Sequence, residues 1–293
     1  MADWLGESSQ RVLIMDGAAG TQLHARGMPA GVCPEQWARE HPLAVTELHA
    51  SYVKAGAEII LTFTLGASPA KLRLAGLDGE TEAINWALAR LARQAAPQAV
   101  ILGDIGPTGQ FIAPLGTITA DELRDGFARQ ATGLADDVDG FIIQTMIDAE
   151  EAVLALQAAK KVAPRKPVLA CLTFQKDADG KNFHTLMGQD PPAVARRLEA
   201  CGADAVGSNC GTGIDDMIGV IERMAKATRL PIVAMPNAGL PKLVRGHTIF
   251  TESAQEMAGK VGKLVAAGAR LIGGCCGTTP EHIAAMKAAL AAG

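Results

Sequence analysis

The stretch PAVARRLEACGADAVGSNCGTGIDDMIGVIERMAK, residues 192–226, contains one complete structural unit and its punctuation. Its first part, to Cys201, places apolar residues three and four apart, the spacing of one face of a helix. Gly202 follows where a helix would stop, since glycine takes the left-handed backbone that ends helices at little cost. The next run, ADAVGSNC (203–210), has strand length and is apolar without clean alternation, as a strand covered on both faces should be. A second helical pattern, DDMIGVIERMAK, begins five residues later. The unit is helix, strand, helix, and it predicts a parallel sheet wrapped in helices.

The same unit recurs along the chain. Strands are predicted at 11–17, 57–64, 99–106, 139–145, 167–174, 203–210, 231–239 and 269–277, with amphipathic segments between them and further glycine stops at Gly56 and Gly268. Eight such repeats predict a single (β/α)8 TIM barrel, with an open doubly wound sheet as the lesser alternative. No composition shift or low-complexity tract interrupts residues 1–293, so one barrel domain is expected throughout. Nearly half the residues are hydrophobic and aromatics are few, which predicts an aliphatic core.

A net charge of −4 with mixed signs argues against nucleic acid and against an anionic membrane surface, and favours a small-molecule partner. The opening MADWLGESSQ lacks the basic start and apolar stretch of a secretory leader, so a cytoplasmic protein is expected. Six cysteines are too sparse for a disulfide scaffold and direct attention to metal binding or catalysis. Cys33, Cys171 and Cys201 stand alone and read as packing residues.

In a (β/α)8 barrel the site forms where strands end. Asp16-Gly17, Gln144-Thr145, Asn209-Cys210, Asn237 and the pair in IGGCCGTT (272–279) all fall there. With only one strand between them, the sixth and eighth strand ends bring Cys210 toward Cys275 and Cys276. Three thiolates suit Zn2+ and leave a fourth position for water or substrate, the catalytic pattern. Adjacent residues of a regular strand face opposite ways, so Gly273, Gly274 and Gly277 are expected to supply the backbone angles that turn both thiols inward. Zinc held by three thiolates is a poor Lewis acid for hydrolysis, yet it keeps a bound substrate thiol deprotonated and nucleophilic at neutral pH. Alkyl transfer to sulfur is the expected chemistry.

These residues resemble the homocysteine S-methyltransferase family, which includes the homocysteine domain of cobalamin-dependent methionine synthase and betaine–homocysteine methyltransferase. The resemblance runs through MDGAAGTQL (15–23), EIILTFTLGAS (58–68), GDIGPTG (103–109), GSNCG (207–211), MPNAGLP (235–241) and GGCCGTTPEHI (273–283). It implies a (β/α)8 barrel holding Zn2+ through Cys210, Cys275 and Cys276. It also implies homocysteine as the small-molecule thiol acceptor and methionine as product. Asp16, Gly17, Thr62, Gln144 and Asn237 are the expected substrate contacts, Asp16 at the amino group, and the GPTG loop is a candidate donor of N–H groups to a carboxylate. The methyl donor is expected to be a small sulfonium or betaine, or a separate methyl-corrinoid protein.

Two departures bear on the acceptor. Gln144 stands where the family commonly has glutamate, and Phe63 where it has asparagine. Loss of one carboxylate predicts weaker recognition of an ammonium, with the glutamine carbonyl left to accept its hydrogen bond. Two alternatives follow: the same chemistry on another thiol, and a non-catalytic barrel that binds zinc or a corrinoid.

Overall fold

The computed structural model describes residues 4–244 and 247–292, without the side chains of Val244 and His247; Met1–Asp3 of the opening segment lie outside the described residues. The barrel strands are β1 (Leu13–Ile14), β2 (Ile59–Leu61), β3 (Val100–Ile105), β4 (Gly140–Met146), β5 (Val168–Leu172), β6 (Ala205–Gly213), β7 (Ile232–Asn237) and β8 (Ala269–Ile272). Each pairs in parallel with its sequence neighbour, and β8 pairs with β1. The remaining seam, between β1 and β2, is closed by a parallel bridge from Met15 to Ile59 and by the Asp16 N–H donating to the Ile59 carbonyl at 2.9 Å. The ring of eight is therefore complete.

The helices are α1 (Gly20–Ala25), α2 (Pro34–Glu40), α3 (Pro42–Ala55), α4 (Pro69–Leu72), α5 (Thr81–Ala95), α6 (Ala120–Leu134), α7 (Ala149–Val162), α8 (Pro191–Ala200), α9 (Ile214–Ala225), α10 (Ala254–Ala266) and α11 (Pro280–Ala292). Local chemistry fixes several of their ends. Thr119 with Glu122 and Ser253 with Glu256 form reciprocal capping boxes at α6 and α10. Gly56, Gly202 and Gly268 take the predicted positive φ beyond α3, α8 and α10. Among the described residues, no helix is long and apolar enough to cross a membrane.

Two apolar layers result. Most buried side chains fill the space between sheet and helices. A smaller inner cluster fills the barrel itself, with Leu13, Met15, Ile59, Leu61, Leu102, Ile142, Leu169, Cys171, Ala205, Val233, Met235 and Leu271. Cys171 is fully buried there, so its packing role holds. Side chains on one face of a strand recur every second residue. Continuing the inward series one step toward the strand ends gives Asp104 after Leu102 and Gln144 after Ile142. On β6 the same step leads from Ala205 through Gly207 to Asn209. The top layer of the barrel interior thus turns from aliphatic to polar, and it forms the floor of the mouth.

Candidate active site

Above that floor is a cavity of about 270 Å3, lined by Asp16, Gly17, Phe63, Asp104, Gln144, Cys210, Cys275 and Cys276 among others. Of the residues expected from sequence, Asp16, Gly17, Gln144 and the three cysteines meet here. Thr62 does not line the cavity; its hydroxyl accepts from the Asp104 N–H at 3.0 Å and bonds Thr64 at 2.7 Å, so it fixes the backbone beneath the site. Asn237 is also outside the lining; it is the last residue of β7 and is buried, with its Oδ1 unpartnered.

The three Sγ atoms all lie within 4.8 Å of one another, a group able to hold a metal ion. Cys210 and Cys276 are 3.8 Å apart. How the chain turns them together differs from the sequence expectation. β8 ends at Ile272, so the strand alternation no longer governs Cys275 and Cys276. The loop is instead tied to the neighbouring strand ends, with the Cys275 N–H donating to the Pro236 carbonyl at 2.8 Å and the Ala238 N–H to the Cys276 carbonyl at 3.0 Å.

Of the three flanking glycines only Gly277 has a positive φ, +82°. Gly273 and Gly274 serve close approach instead. A Cβ on Gly273 would lie 2.6 Å from the Asp16 carbonyl oxygen, and one on Gly274 would lie 2.4 Å from Thr278 Oγ1. That hydroxyl accepts from the Ala18 N–H at 3.0 Å and donates to the Cys275 carbonyl at 2.8 Å, joining the first and last loops of the barrel.

The unusual backbone lies elsewhere. Phe63, Thr145 and Cys210 have φ of +58°, +59° and +58°, the left-handed region that non-glycine residues seldom enter. They sit at the ends of β2, β4 and β6, and all three line the cavity. Strand register shifts accompany the latter two, between Ile143 and Met146 and between Asn209 and Gly213. Strained backbone of this kind collects at functional sites, where surrounding structure holds it.

A hydrogen-bonded chain crosses the floor from acid to thiol. Gln144 Nε2 donates to Asp104 Oδ1 at 2.8 Å, and Gln144 Oε1 accepts from Asn209 Nδ2 at 3.2 Å. Asn209 also bonds both the Thr145 N–H and its hydroxyl at 2.7 Å, and Nδ2 lies 3.9 Å from Cys275 Sγ. On the opposite side, Asp16 Oδ2 accepts from the Leu61 N–H at 2.9 Å, while its buried Oδ1 has no partner. Asn209 was placed at a strand end from sequence without a role, and Asp104 was not singled out, although a polar residue two places beyond an inward aliphatic one is a usable signal.

The GPTG loop has a different task from the one expected. Its Thr108 N–H and hydroxyl both donate to buried Glu151, at 2.8 and 2.6 Å, and the Gly106 N–H donates to Leu65. The loop is pinned to α7, and its amides at 106 and 108 are already used.

The electrostatics are those of a site crowded with acids. Burial pushes the Asp16 carboxyl well above its ordinary range, with the Leu61 N–H opposing and the nearby Asp104 adding to it. Burial likewise pushes Asp104 up to about 7, against the Gln144 hydrogen bond. Among the thiols, hydrogen bonds from Cys275 and Cys276 pull Cys210 down to about 3, and the same contacts push Cys275 upward and Cys276 up to about 11.

Fold and site together define a class: a closed parallel α/β barrel whose mouth gathers three thiols able to bind metal. The family model described as homocysteine S-methyltransferase matches residues 13–290, and the chain belongs to that family. It is 31% identical to methionine synthase of Mycobacterium tuberculosis and 30% to that of Mycobacterium leprae, each alignment covering 99% of this chain and 25% of the relative. The chain therefore spans about a quarter of the length of these relatives. The metallated form of the Escherichia coli homocysteine methyltransferase MmuM superposes with a TM-score of 0.78 at 27% identity, covering 95% of this chain and 96% of that one. The carboxyl transferase domain of Rhizobium etli pyruvate carboxylase, at 16% identity and a TM-score of 0.53, shares the fold alone.

Proposed function

We propose that this chain is a zinc-dependent S-methyltransferase that moves a methyl group onto a metal-bound thiolate, with homocysteine as acceptor and methionine as product. The observation that carries the reading is the convergence of Cys210, Cys275 and Cys276 at a cavity that also holds Asp16, Asp104 and Gln144. The donor set fits zinc in kind and in size. Thiolates about 2.3 Å from a tetrahedral metal stand about 3.8 Å from each other, and the Cys210–Cys276 separation is 3.8 Å. Cys210, Cys275 and Cys276 would hold the ion, which when bound lowers the pKa of an incoming thiol and presents its sulfur as a nucleophile.

The chain's own residues do the rest. Asp16 offers its unpartnered Oδ1 to the acceptor's ammonium, and Phe63 and Met235 give the cavity apolar wall. Asn209, with Nδ2 3.9 Å from Cys275 Sγ, orients that cysteine. The methyl donor enters from the mouth, as a small sulfonium or betaine or on a separate methyl-corrinoid protein. The barrel over residues 1–293 is proposed to act as one domain in the cytoplasm.

The test is methyl transfer by the zinc-loaded protein to homocysteine from a sulfonium, a betaine and a methyl-corrinoid protein in turn. Methionine formed with at least one donor, lost on chelation and regained with zinc, is expected. Zinc retained without turnover on any donor would favour the non-catalytic alternative.

A further inference from the structure

We propose that Asp104, and not residue 144, supplies the second negative charge that recognises the acceptor's ammonium, with Gln144 serving to hold that carboxylate in place. This rests on the proposed function and assigns a specificity-determining residue within it. Asp16 and Asp104 line the same cavity at 3% and 4% exposure. No lysine or arginine is among the lining residues; His24, which also lines the cavity, bonds the Met28 carbonyl through Nδ1 at 2.8 Å, and a third lining carboxyl, Glu35, accepts from the Gly66 N–H at 2.7 Å. A buried anionic pair without a counter-ion is costly, and it is stabilised by a ligand that brings the missing positive charge.

The hydrogen bonds settle the division of labour. Gln144 presents its N–H to Asp104 at 2.8 Å and its carbonyl to Asn209 at 3.2 Å, so the amide is oriented from both ends. Its carbonyl already accepts one hydrogen bond, from Asn209, on the side away from Asp104. Asp104 Oδ2, by contrast, has no hydrogen bond among the described residues, and Asp16 Oδ1 is buried and unpartnered. An ammonium has three N–H groups to offer these oxygens. A carboxylate at position 144 would face Asp104 across the same contact and repel it, whereas glutamine donates. Aspartate at 104 and glutamine at 144 therefore form a matched pair: the loss of charge on β4 leaves the charge on β3 as the ammonium's partner.

The experiment is calorimetric titration of the zinc-loaded protein with homocysteine and with its des-amino analogue, 4-mercaptobutanoate. Asp104→Asn is expected to weaken homocysteine about tenfold to hundredfold, the range for a hydrogen bond to a charged group. The same variant should leave the analogue within about twofold, since that ligand has no ammonium to lose. Restoring a carboxylate in the double variant Asp104→Asn/Gln144→Glu should recover much of the homocysteine affinity, which excludes mere misfolding of the single variant. Equal weakening of both thiols, or unchanged homocysteine binding, overturns the assignment. Failure of the wild-type protein to bind either thiol would instead overturn the proposed function, and the assignment with it.

Discussion

Asp104→Asn has a second consequence, for stability, that follows from the carboxyl's burial alone. In the folded chain Asp104 titrates at about 7, against about 3.9 in an unfolded one. Between those values the native state binds more protons than the unfolded state, so this group lowers stability as pH rises through the window and has its full destabilising effect above it. The slope at mid-window is about 1.4 kcal/mol per pH unit, and from pH 5.5 to pH 8 it accumulates to about 2 kcal/mol. Asparagine keeps an oxygen to accept from Gln144 and carries no charge to bury. The variant should therefore gain on the wild type by about 2 kcal/mol over that interval, or roughly 4 °C in melting temperature for a chain of this size. Asp16, also pushed up by burial and by Asp104, and Glu35, which adds to the upward push on Asp104, face the same region. Relief of Asp16 should add to the gain. Urea denaturation of both proteins without acceptor, at the two pH values, measures the difference directly. A difference that stays constant with pH, or a variant that loses ground at pH 8, would refute the reasoning.

Other perturbations test the scaffold and the thiols. Cys210→Ser should lower zinc retention by more than about 100-fold, read as metal content after dialysis, because one of three protein ligands is lost. Gly274→Ala should cost about 2–4 kcal/mol in denaturant unfolding, since the added Cβ lies 2.4 Å from Thr278 Oγ1 and displacing it breaks the bonds to Ala18 and Cys275. Thr278→Val keeps the shape but leaves the Ala18 N–H and the Cys275 carbonyl without that partner, and a loss of about 1–3 kcal/mol is expected by the same assay.

The barrel was legible because its signals are local and repeated. Continuous apolar runs marked the place of all eight strands, although the last ends at Ile272 and not at 277, and Gly56, Gly202 and Gly268 marked the helix stops that the backbone adopts. The cysteine trio was legible because topology alone brings the ends of β6 and β8 near one another. What stayed hidden depends on long-range geometry. Phe63, Thr145 and Cys210 carry the left-handed backbone that sequence reading assigns to glycine, and only the surrounding packing holds them there. The role of Gly273 and Gly274 lies in what a Cβ would strike, namely Asp16 and Thr278, which are distant in sequence. The Asp104–Gln144–Asn209 chain joins three strands and needs the inward register of each before it can be recognised. Gln144 read as a lost charge from its residue type; its neighbour across the sheet gives it a purpose. Short α1 and α2, within the long connection from β1 to α3, lack the length for a clear periodic signal.

X-ray absorption at the zinc edge, on the loaded protein with and without homocysteine, addresses the thiolate claim at its source. Three sulfur neighbours and one lighter atom should become four sulfurs when homocysteine is added. An unchanged coordination shell at saturating homocysteine, or a resting site with fewer than three sulfurs, would contradict it.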